Sequence, residues 1–239
     1  MSESQEAPPD RVLVLTAHPD DTEFCVAGTV MQWTALGTEV TYCVLTDGDS
    51  GGYDDGLPRQ SISPLRRAEQ RAAAGYAGVR EVRFLGYPDG RLEPSIELRR
   101  DIARVIRQVR PQVVLMPSPE INWARIADTH PDHRAAGEAA LRAVYPDARN
   151  PYAHPELRAQ GLEAWEVPEI WLIMGPSPNH FVDVTDLFER KLAALRLHTS
   201  QTAHVADLEA LLRRWQTEHA VSGGLPAGRL AEAFQVIRL

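Results

Sequence analysis

The segment His18–Asp21, which reads His-Pro-Asp-Asp, directly follows the short apolar run Val12–Ala17. A β-branched apolar run of this length predicts a buried strand, and proline ends the strand because it has no N–H to donate. Open α/β sheets bind ligands at the carboxyl ends of their strands. A second cluster, His130–His133, reads His-Pro-Asp-His and follows another strand-like run. Together the two clusters predict one divalent metal site, which forms when the fold brings the clusters together.

Strand-like and helix-like segments alternate through the first two thirds of the chain. This alternation predicts an α/β fold with a mostly parallel sheet, helices on both faces and right-handed crossovers. The predicted strands are Val12–Ala17, Glu39–Leu45, Glu81–Leu85, Gln112–Met116, Ile170–Met174 and Phe181–Val184. The predicted helices are Thr22–Leu36, a helix capped by Ser63 that runs to Tyr76, Glu93–Val109, Pro131–Val144, Thr185–Leu197 and Val205–His219.

The chain has 239 residues, of which 44% are hydrophobic and 24% charged. These values are ordinary for one globular domain with a full core. We therefore expect a flexible N-terminal arm over residues 1–10 and a single domain over residues 11–239. The C-terminal third, which is weakly patterned, is predicted to be a helical and irregular annex on the same sheet.

The formal net charge is −8 and the isoelectric point is near 5.5. An acidic protein has little long-range attraction to phosphate backbones or anionic lipids, so we expect neither nucleic acid nor membrane as a partner. Cys25 and Cys43 are the only cysteines, which excludes a disulfide framework and a CxxC zinc pattern. The sequence shows neither a signal-like segment nor a stretch that approaches a membrane span. A cytoplasmic location is therefore expected.

Catalytic zinc sites keep three protein ligands and leave one position open for water. His18 and Asp21 are three residues apart and can bind one ion from a single turn, and His133 is the natural third ligand. Adjacent side chains diverge, so Asp20 is better placed to act as a general base on the water. A bound metal lowers the pKa of that water and polarises a carbonyl. A His₂Asp set is only moderately selective among divalent metals.

His130 lies three residues before His133, so the two side chains face the same way at the start of a helix. His130 is then a candidate electrophile or acid over a substrate carbonyl, and Asp132 is a candidate to orient one of the imidazoles. A simpler explanation exists for each cluster, because Asp20, Asp21 or the second cluster could merely cap the helix that follows. Caps do not need histidine, which favours the metal site.

The two clusters, their order and their strand–loop–helix setting resemble the LmbE-like, or PIG-L-type, zinc-dependent N-deacetylase family. The family signature is matched here by Ala17–Asp21 and His130–His133. The resemblance implies a Rossmann-like three-layer sandwich and hydrolysis of an acetamide, often on an N-acetylglucosamine unit. It further implies zinc held by His18, Asp21 and His133, with Asp20 as general base and with His130, tuned by Asp132, stabilising the oxyanion.

Three residues are weaker candidates for binding the substrate. Arg66 stands in an Arg-x-x-Glu pattern and Asp89 in a turn after the third strand, and both match family positions that contact sugars. Trp123, in a loop beside the second cluster, is a candidate to stack on a sugar ring. A helix-surface arginine and a plain turn aspartate explain the first two equally well. His198 could reach the rim of the site, but it is expected to be a helix C-terminal histidine favoured by the helix dipole.

Two positions depart from the family pattern. Thr22 comes between the first cluster and Glu23, and Asp128 stands where some sugar deacetylases have a tyrosine that assists the oxyanion. The sequence thus predicts a zinc hydrolase that removes an acetyl group from an N-acetylated amino sugar or its conjugate, a small-molecule substrate. Relatives are commonly oligomeric, so a homo-oligomer is compatible with the resemblance, although no periodic stripe identifies an interface.

Two alternatives remain open at the level of sequence. The first is an amidase acting on a larger thiol or antibiotic conjugate, in which the same zinc chemistry is used and the loops 47–63, 117–129 and 145–168 differ. The second is a non-catalytic α/β ligand-binding domain with a structural metal. That second hypothesis gives Asp20 no role beside the ligands.

Overall fold

A computed structural model describes residues 7–52 and 57–239. Residues 1–6 of the predicted arm and residues 53–56 of the predicted loop 47–63 lie outside the described part. The strands are β1 (Arg11–Thr16), β2 (Glu39–Thr46), β3 (Glu81–Tyr87), β4 (Val113–Pro117), β5 (Glu169–Ile173), β6 (His180–Asp183) and β7 (Ala231–Arg238). The helices are α1 (Asp21–Cys25), α2 (Ala27–Ala35), α3 (Arg59–Tyr76), α4 (Ile96–Val109), α5 (Pro131–Arg142), α6 (Pro155–Ala159), α7 (Phe188–Leu195), α8 (Thr199–Thr202) and α9 (Leu208–Ser222).

The described strands form one sheet in the order β3-β2-β1-β4-β5-β7-β6. The five strands from β3 to β5 are parallel, and β7 runs antiparallel to both of its neighbours. The direction of winding reverses between β1 and β4, which makes the crevice at their carboxyl ends the expected ligand site of such a sheet. The two His/Asp clusters follow these two strands, so the topology brings them together.

Both faces of the sheet are covered by helices, which confirms the predicted three-layer α/β fold. Side chains alternate along β1: Leu13 and Leu15 belong to a core that contains residues of α4 and α5. Val12 and Val14 belong to the opposite core, which contains residues of α2, α3 and α7. All four β1 side chains are fully buried. This rigid central strand carries the first His/Asp cluster at its end.

The structure corrects two predicted helices. The segment predicted as one helix from Thr22 to Leu36 is interrupted at Val26, where the backbone leaves helical geometry (φ −132°, ψ −1°). The helix expected to begin after Ser63 begins at Arg59 and carries Pro64 inside it. Pro64 is the sixth residue of α3, past its first turn, so it removes one intrahelical hydrogen bond, the one to the carbonyl of Gln60.

The C-terminal third is not merely an annex, because it completes the sheet. β7, which the sequence analysis missed, pairs with β5 and β6. Its Glu232 accepts hydrogen bonds from the backbone N–H groups of Gly28 and Thr29, both at 2.8 Å, at the start of α2. Lys191 of α7 completes the arrangement with a buried ion pair to Glu232 at 2.5 Å. A buried anion at a helix N-terminus with a paired cation ties β7, α2 and α7 together.

None of the helices within residues 7–52 and 57–239 is both long enough and apolar enough to cross a membrane.

Candidate metal centre

The first cluster is formed by a sharp turn between β1 and α1. Asp20 adopts a left-handed backbone conformation (φ 95°), and Asp21 is the first residue of α1. The Oδ2 atom of Asp21 accepts hydrogen bonds from the backbone N–H groups of Ala17 at 3.1 Å and His18 at 2.9 Å. These bonds leave Oδ1 free to face the second cluster. The turn therefore fixes the carboxylate of Asp21 and aims one oxygen inward.

The second cluster is fixed by the start of α5. His130 caps this helix, and its Nδ1 accepts a hydrogen bond from the backbone N–H of Asp132 at 3.2 Å. Pro131 occupies the first helical position, where its fixed φ is favourable. Gly137, one turn after His133, packs against the backbone of Pro117 and Ser118, where a Cβ atom has no room. The close approach of α5 to the end of β4 brings His133 to the crevice.

The nitrogen and oxygen atoms of His18, Asp21 and His133 converge. His18 Nδ1 lies 3.3 Å from His133 Nε2, and His133 Nε2 lies 3.1 Å from Asp21 Oδ1. Ligands that are about 2.0–2.1 Å from a tetrahedral zinc ion are separated from one another by roughly 3.3 Å. The three predicted ligands thus have the donor types and the spacing that fit such an ion.

The charges at this triad also fit a cation. Burial lowers the pKa of His18, but hydrogen bonds to Asp132 and Asp89 outweigh it and raise that pKa to about 10. Burial raises the pKa of Asp21, but the neighbouring His133 holds it well below its usual range. The pKa of His133 is raised against its own burial, mainly by Asp21. Carboxylates therefore dominate the potential at the imidazole nitrogens, which is the field that a divalent cation requires.

Asp132 and Asp89 both contact the Nε2 atom of His18, the ring nitrogen that does not contact His133. His18 Nε2 lies 3.1 Å from Asp89 Oδ1 and 3.3 Å from Asp132 Oδ2. The backbone N–H groups of Gly90 and Leu92 donate to Asp132. A carboxylate partner on Nε2 leaves the Nδ1 lone pair for a metal. The imidazole oriented by the Asp132 side chain is that of His18; Asp132 meets His130 through its backbone N–H.

A second trio, His18, His130 and Asp132, also brings its donor atoms within 4.8 Å of one another. It shares His18 with the first trio but faces the other ring nitrogen, Nε2, which lies 3.3 Å from Asp132 Oδ2. Both carboxylate oxygens of Asp132 accept a backbone hydrogen bond, and the Nδ1 of His130 accepts another. Both backbone bonds to Asp21 go to its Oδ2, so its Oδ1 accepts none. The trio of His18, Asp21 and His133 is therefore the better cation site.

Asp20 lies beside the triad in a polar setting of its own. Its carboxylate is 3.3 Å from the guanidinium of Arg66, and its backbone N–H donates to Gln70 Oε1 at 2.9 Å. Burial raises the pKa of Asp20 to about 6, against the lowering effect of Arg66. Arg66 is only 3% exposed and also donates to the carbonyl groups of Pro19 and Gly48. The turn that presents Asp20 is thus held by α3.

The sequence analysis missed the layer of polar groups below Asp20. Gln70 donates to Glu23, and Glu23 is paired with His198 at 2.9 Å. His198 is fully buried at the start of α8, so the prediction of a helix C-terminal histidine was wrong. A sequence signal did exist: Arg66, Glu69 and Gln70 share one helical face with buried alanines of α3. A polar stripe on the core face of a helix indicates buried partners.

The two remaining candidate residues are exposed. His130 presents its ring to solvent at the edge of the triad, with its centroid 5.0 Å from that of His18 and 5.4 Å from that of His133. Burial and the two neighbouring histidines lower the pKa of His130. Trp123 is 79% exposed in the loop between β4 and α5. Of the predicted site residues, eight come together around the crevice, and Trp123 stands on the loop that leads to it.

A doubly wound α/β sheet whose switch point carries a His₂Asp cluster beside a second carboxylate defines a class of metal-binding α/β proteins. Comparison with known proteins narrows the class. A family model described as "PIG-L: GlcNAc-PI de-N-acetylase" matches residues 13–144. The chain belongs to this family, which confirms the resemblance found in the sequence.

Relatives support the same assignment. The chain is 35% identical over 191 residues to the diacetylchitobiose deacetylase of Thermococcus kodakarensis, covering 80% of this chain and 70% of the relative. It is 34% identical over 199 residues to the probable N-acetyl-alpha-D-glucosaminyl L-malate deacetylase 2 of Bacillus anthracis, covering 80% and 81%. The solved structure of N,N'-diacetylchitobiose deacetylase from Pyrococcus horikoshii superposes with a TM-score of 0.89 at 31% identity, covering 96% of this chain and 84% of the other.

Proposed function

We propose that this protein is a zinc-dependent N-deacetylase that hydrolyses the acetamide of an N-acetylated amino sugar or its conjugate. The observation that carries the proposal is the convergence of His18, Asp21 and His133 with Asp20 at their side. Relatives that are named as deacetylases of amino-sugar compounds support the substrate class. Zinc is proposed because two imidazoles and one carboxylate are a donor set that it commonly takes in catalytic sites.

Zinc would be held by His18, Asp21 and His133, and when bound it would polarise the acetamide carbonyl and make a water acidic. Asp20 is the proposed general base: it accepts a proton from the attacking water as the new C–O bond forms. The same proton can then pass to the nitrogen as the C–N bond breaks, so that acetate and a free amine are released. The contact with Arg66 holds the Asp20 carboxylate in place for both transfers.

His130 is the proposed donor to the developing oxyanion. Its Nδ1 accepts the backbone N–H of Asp132, so the neutral ring carries its proton on Nε2. The ring is exposed at the edge of the triad, where a substrate carbonyl arrives. A fixed N–H aimed at the place where negative charge develops stabilises the transition state. Asp132 contributes by orienting His18 with its carboxylate and by donating its backbone N–H to His130.

The proposed substrate contacts have unequal support. The exposure of Trp123 suits stacking on a sugar ring. Arg66 and Asp89 are almost buried, and both carboxylate oxygens of Asp89 are engaged, by His18 and by the backbone N–H of Ser50. The present hydrogen bonds of Arg66 and Asp89 position Asp20 and His18. A direct contact of either residue with the substrate is a separate proposal.

Of the two alternatives, neither is favoured by a specific observation. An amidase of larger conjugates would use the same residues, and the loops 47–63, 117–129 and 145–168 would decide the difference. A non-catalytic binding domain leaves Asp20, held in a left-handed conformation beside the ligands, without a task. A cytoplasmic location, a small-molecule substrate without nucleic acid or membrane, and a homo-oligomer remain predictions.

The test combines metal analysis with an assay of amine release. Purified protein is analysed for metal and then incubated with N-acetylglucosamine, N,N'-diacetylchitobiose and, as a non-sugar acetamide, acetanilide. We expect about one zinc per chain and amine release from at least one sugar that stops with a chelator and returns with zinc. Metal-loaded protein that releases no amine from any amino-sugar acetamide would contradict the proposal.

A further inference from the structure

A cavity borders part of the metal triad, and Asp20 and Asp89 are not among the residues that line it. It has a volume of about 220 Å³ and is lined by residues of α1, α9, β5 and β7 and of the loop between β4 and α5. Asp21 and His133 form part of its wall, whereas His18, Asp20 and His130 do not. We call it the α9 chamber, after the helix that contributes Leu212, Trp215, Gln216 and His219.

The α9 chamber contains polar atoms for which the described residues provide no partner. Gln216 is only 2% exposed, and neither its Oε1 nor its Nε2 has a hydrogen-bond partner. The Nδ1 of His219 and the Oε1 of Gln235 are also buried without one. Buried amides and imidazoles are almost always hydrogen-bonded, because leaving them unpaired is unfavourable. These atoms converge on one cavity, so they are suited to bind a molecule there.

The charged groups of the chamber exclude an ionic ligand. Lys191 is paired with Glu232 at 2.5 Å, and Arg125 is paired with Asp128 at 3.0 Å. Asp21 belongs to the metal triad. No cation in this wall is left for a carboxylate or a phosphate among the described residues, and no isolated carboxylate is left for an amine. An uncharged ligand is therefore the one that the chamber can accept without leaving a buried charge unpaired.

The buried polar atoms of the α9 chamber that lack a partner are mostly hydrogen-bond acceptors. The ring of His219 is hydrogen-bonded to the backbone of Ala231, and burial, together with the positive charges of Arg125 and Lys191, lowers its pKa to about 4. The neutral ring then presents the Nδ1 lone pair. With the amide oxygens of Gln216 and Gln235, this makes three acceptors beside the single amide NH₂ group of Gln216. A suitable ligand donates hydrogen bonds through hydroxyl or amide groups.

The rest of the wall is apolar and aromatic. Phe24 and Trp215 lie with their ring centroids 6.1 Å apart, and Leu212 and Met174 extend the same surface. An engineered apolar cavity of about 150 Å³ accommodates benzene, so the α9 chamber has room for a six-membered ring with a substituent. An apolar pocket with a few convergent polar groups is the usual form of a small-molecule site.

We propose that the α9 chamber is a binding site for a neutral, ring-sized molecule with an amide or hydroxyl group. The ring packs on Phe24 and Trp215, and the polar group binds Gln216 with help from His219 and Gln235. The ligand lies against Asp21 and His133, which form part of the wall. This site shares the proposed metal ligands Asp21 and His133 with the deacetylase centre, but it includes none of the residues that would transfer protons.

The test uses four probes that share a phenyl ring: benzamide, benzyl alcohol, toluene and benzoate. Binding to the zinc-loaded protein is followed by NMR through the side-chain amides of Gln216 and Gln235 and the indole N–H of Trp215. Benzamide and benzyl alcohol are expected to bind with millimolar or lower Kd and to shift these signals. Toluene and benzoate are expected to bind at least about fivefold more weakly, because one lacks a donor and the other is charged.

Gln216→Met keeps the shape of the side chain and removes both polar atoms. It is expected to weaken benzamide about five- to tenfold and to leave toluene unchanged or tighter. Gln60→Met makes the same chemical change at an exposed position and should alter neither. Should Gln216→Met fail to fold, Leu212→Trp fills the chamber and should abolish binding of every probe that occupies it.

The proposal is overturned by any of three results. One is benzamide binding no better than toluene and benzoate. Another is equal affinity of benzamide for the wild-type protein and a folded Gln216→Met variant. The third is a crystal structure in which ordered water fills the chamber and is displaced by none of the probes.

Discussion

Gln70 and Asp20 are joined by a hydrogen bond of 2.9 Å from the backbone N–H of Asp20 to the Oε1 of Gln70. Asp20 sits in a left-handed conformation (φ 95°) that is uncommon for a residue other than glycine. Gln70 also donates to Thr22 and Glu23. One buried amide of α3 thus holds the turn that presents the proposed base.

Replacing Gln70 by methionine tests this positioning role. Gln70→Met leaves the N–H of Asp20 unpaired, so we expect the free energy of unfolding to fall by about 1–3 kcal/mol. Turnover should fall about 10- to 100-fold through kcat, with KM nearly unchanged, because the base is displaced while the substrate surface is kept. Zinc content should stay at the wild-type level. Gln60→Met, exposed on the same helix, is the control; an unchanged kcat in folded Gln70→Met would refute the role.

His133 is proposed as a zinc ligand and Asp20 as the general base, so variants of the two residues are expected to have different effects. His133→Asn removes one of three ligands, and we expect zinc affinity to fall by more than about 100-fold. Asp20→Asn should retain stoichiometric zinc and lose about 10²–10⁴-fold in turnover, because only the proton transfer is removed. Metal analysis after dialysis and the amine-release assay measure the two effects. Loss of zinc from Asp20→Asn would instead place that residue among the ligands.

The buried pair of Lys191 and Glu232 predicts a non-additive effect on stability. Lys191→Met leaves the Glu232 carboxylate buried without its cation, and we expect a loss of about 3–5 kcal/mol in urea unfolding. The double variant Lys191→Met/Glu232→Gln should recover part of that loss, because no uncompensated charge remains. A double variant that is as unstable as the sum of the two single ones would show that the pair is not coupled.

His219 predicts a dependence of stability on acid pH. Its pKa in the folded protein is about 4, below the ordinary value of 6.5, because burial and the charges of Arg125 and Lys191 disfavour the protonated ring. The unfolded chain therefore binds a proton that the folded chain does not, and this group reduces stability as the pH falls from about 6.5 to about 4.

His219→Gln keeps a hydrogen-bond donor and removes the titration. The unfolding free energy of the variant, measured between pH 7 and pH 4, should decline less steeply than that of the wild-type protein. The difference between the two curves isolates this residue from the other titrating groups. Parallel curves through that range would show that His219 is protonated equally in both states.

The centre of the site could be predicted because it depends on local order. A β-branched run followed by His-Pro-Asp-Asp determines both the strand and what stands at its end, and the alternation of strands and helices brings β1 and β4 side by side. His18, Asp21 and His133 were therefore predicted as one group from sequence, and the structure brings their donor atoms within 4.8 Å of one another.

The layers around that centre depend on long-range partners. Glu23 is 47 residues from Gln70 and 175 from His198 in the sequence. Because such distant partners cannot be recognised from a local pattern, the pattern predicts that these polar side chains are exposed to solvent. β7 was missed for a related reason. Its Glu232 has the pattern of an exposed strand position, but Lys191 and the start of α2 satisfy it in the interior. A buried charge is recognisable only once its partners are known.

Lys191 is the only lysine of the chain, and it is buried against Glu232. Arginine supplies every other permanent side-chain cation, and its guanidinium is inert towards acylating agents. Amine-directed conjugation or immobilisation will therefore find no lysine on the folded surface, and cellular acyl donors cannot change the surface charge through one. Modification of Lys191 by such a reagent would instead report that the interior has opened.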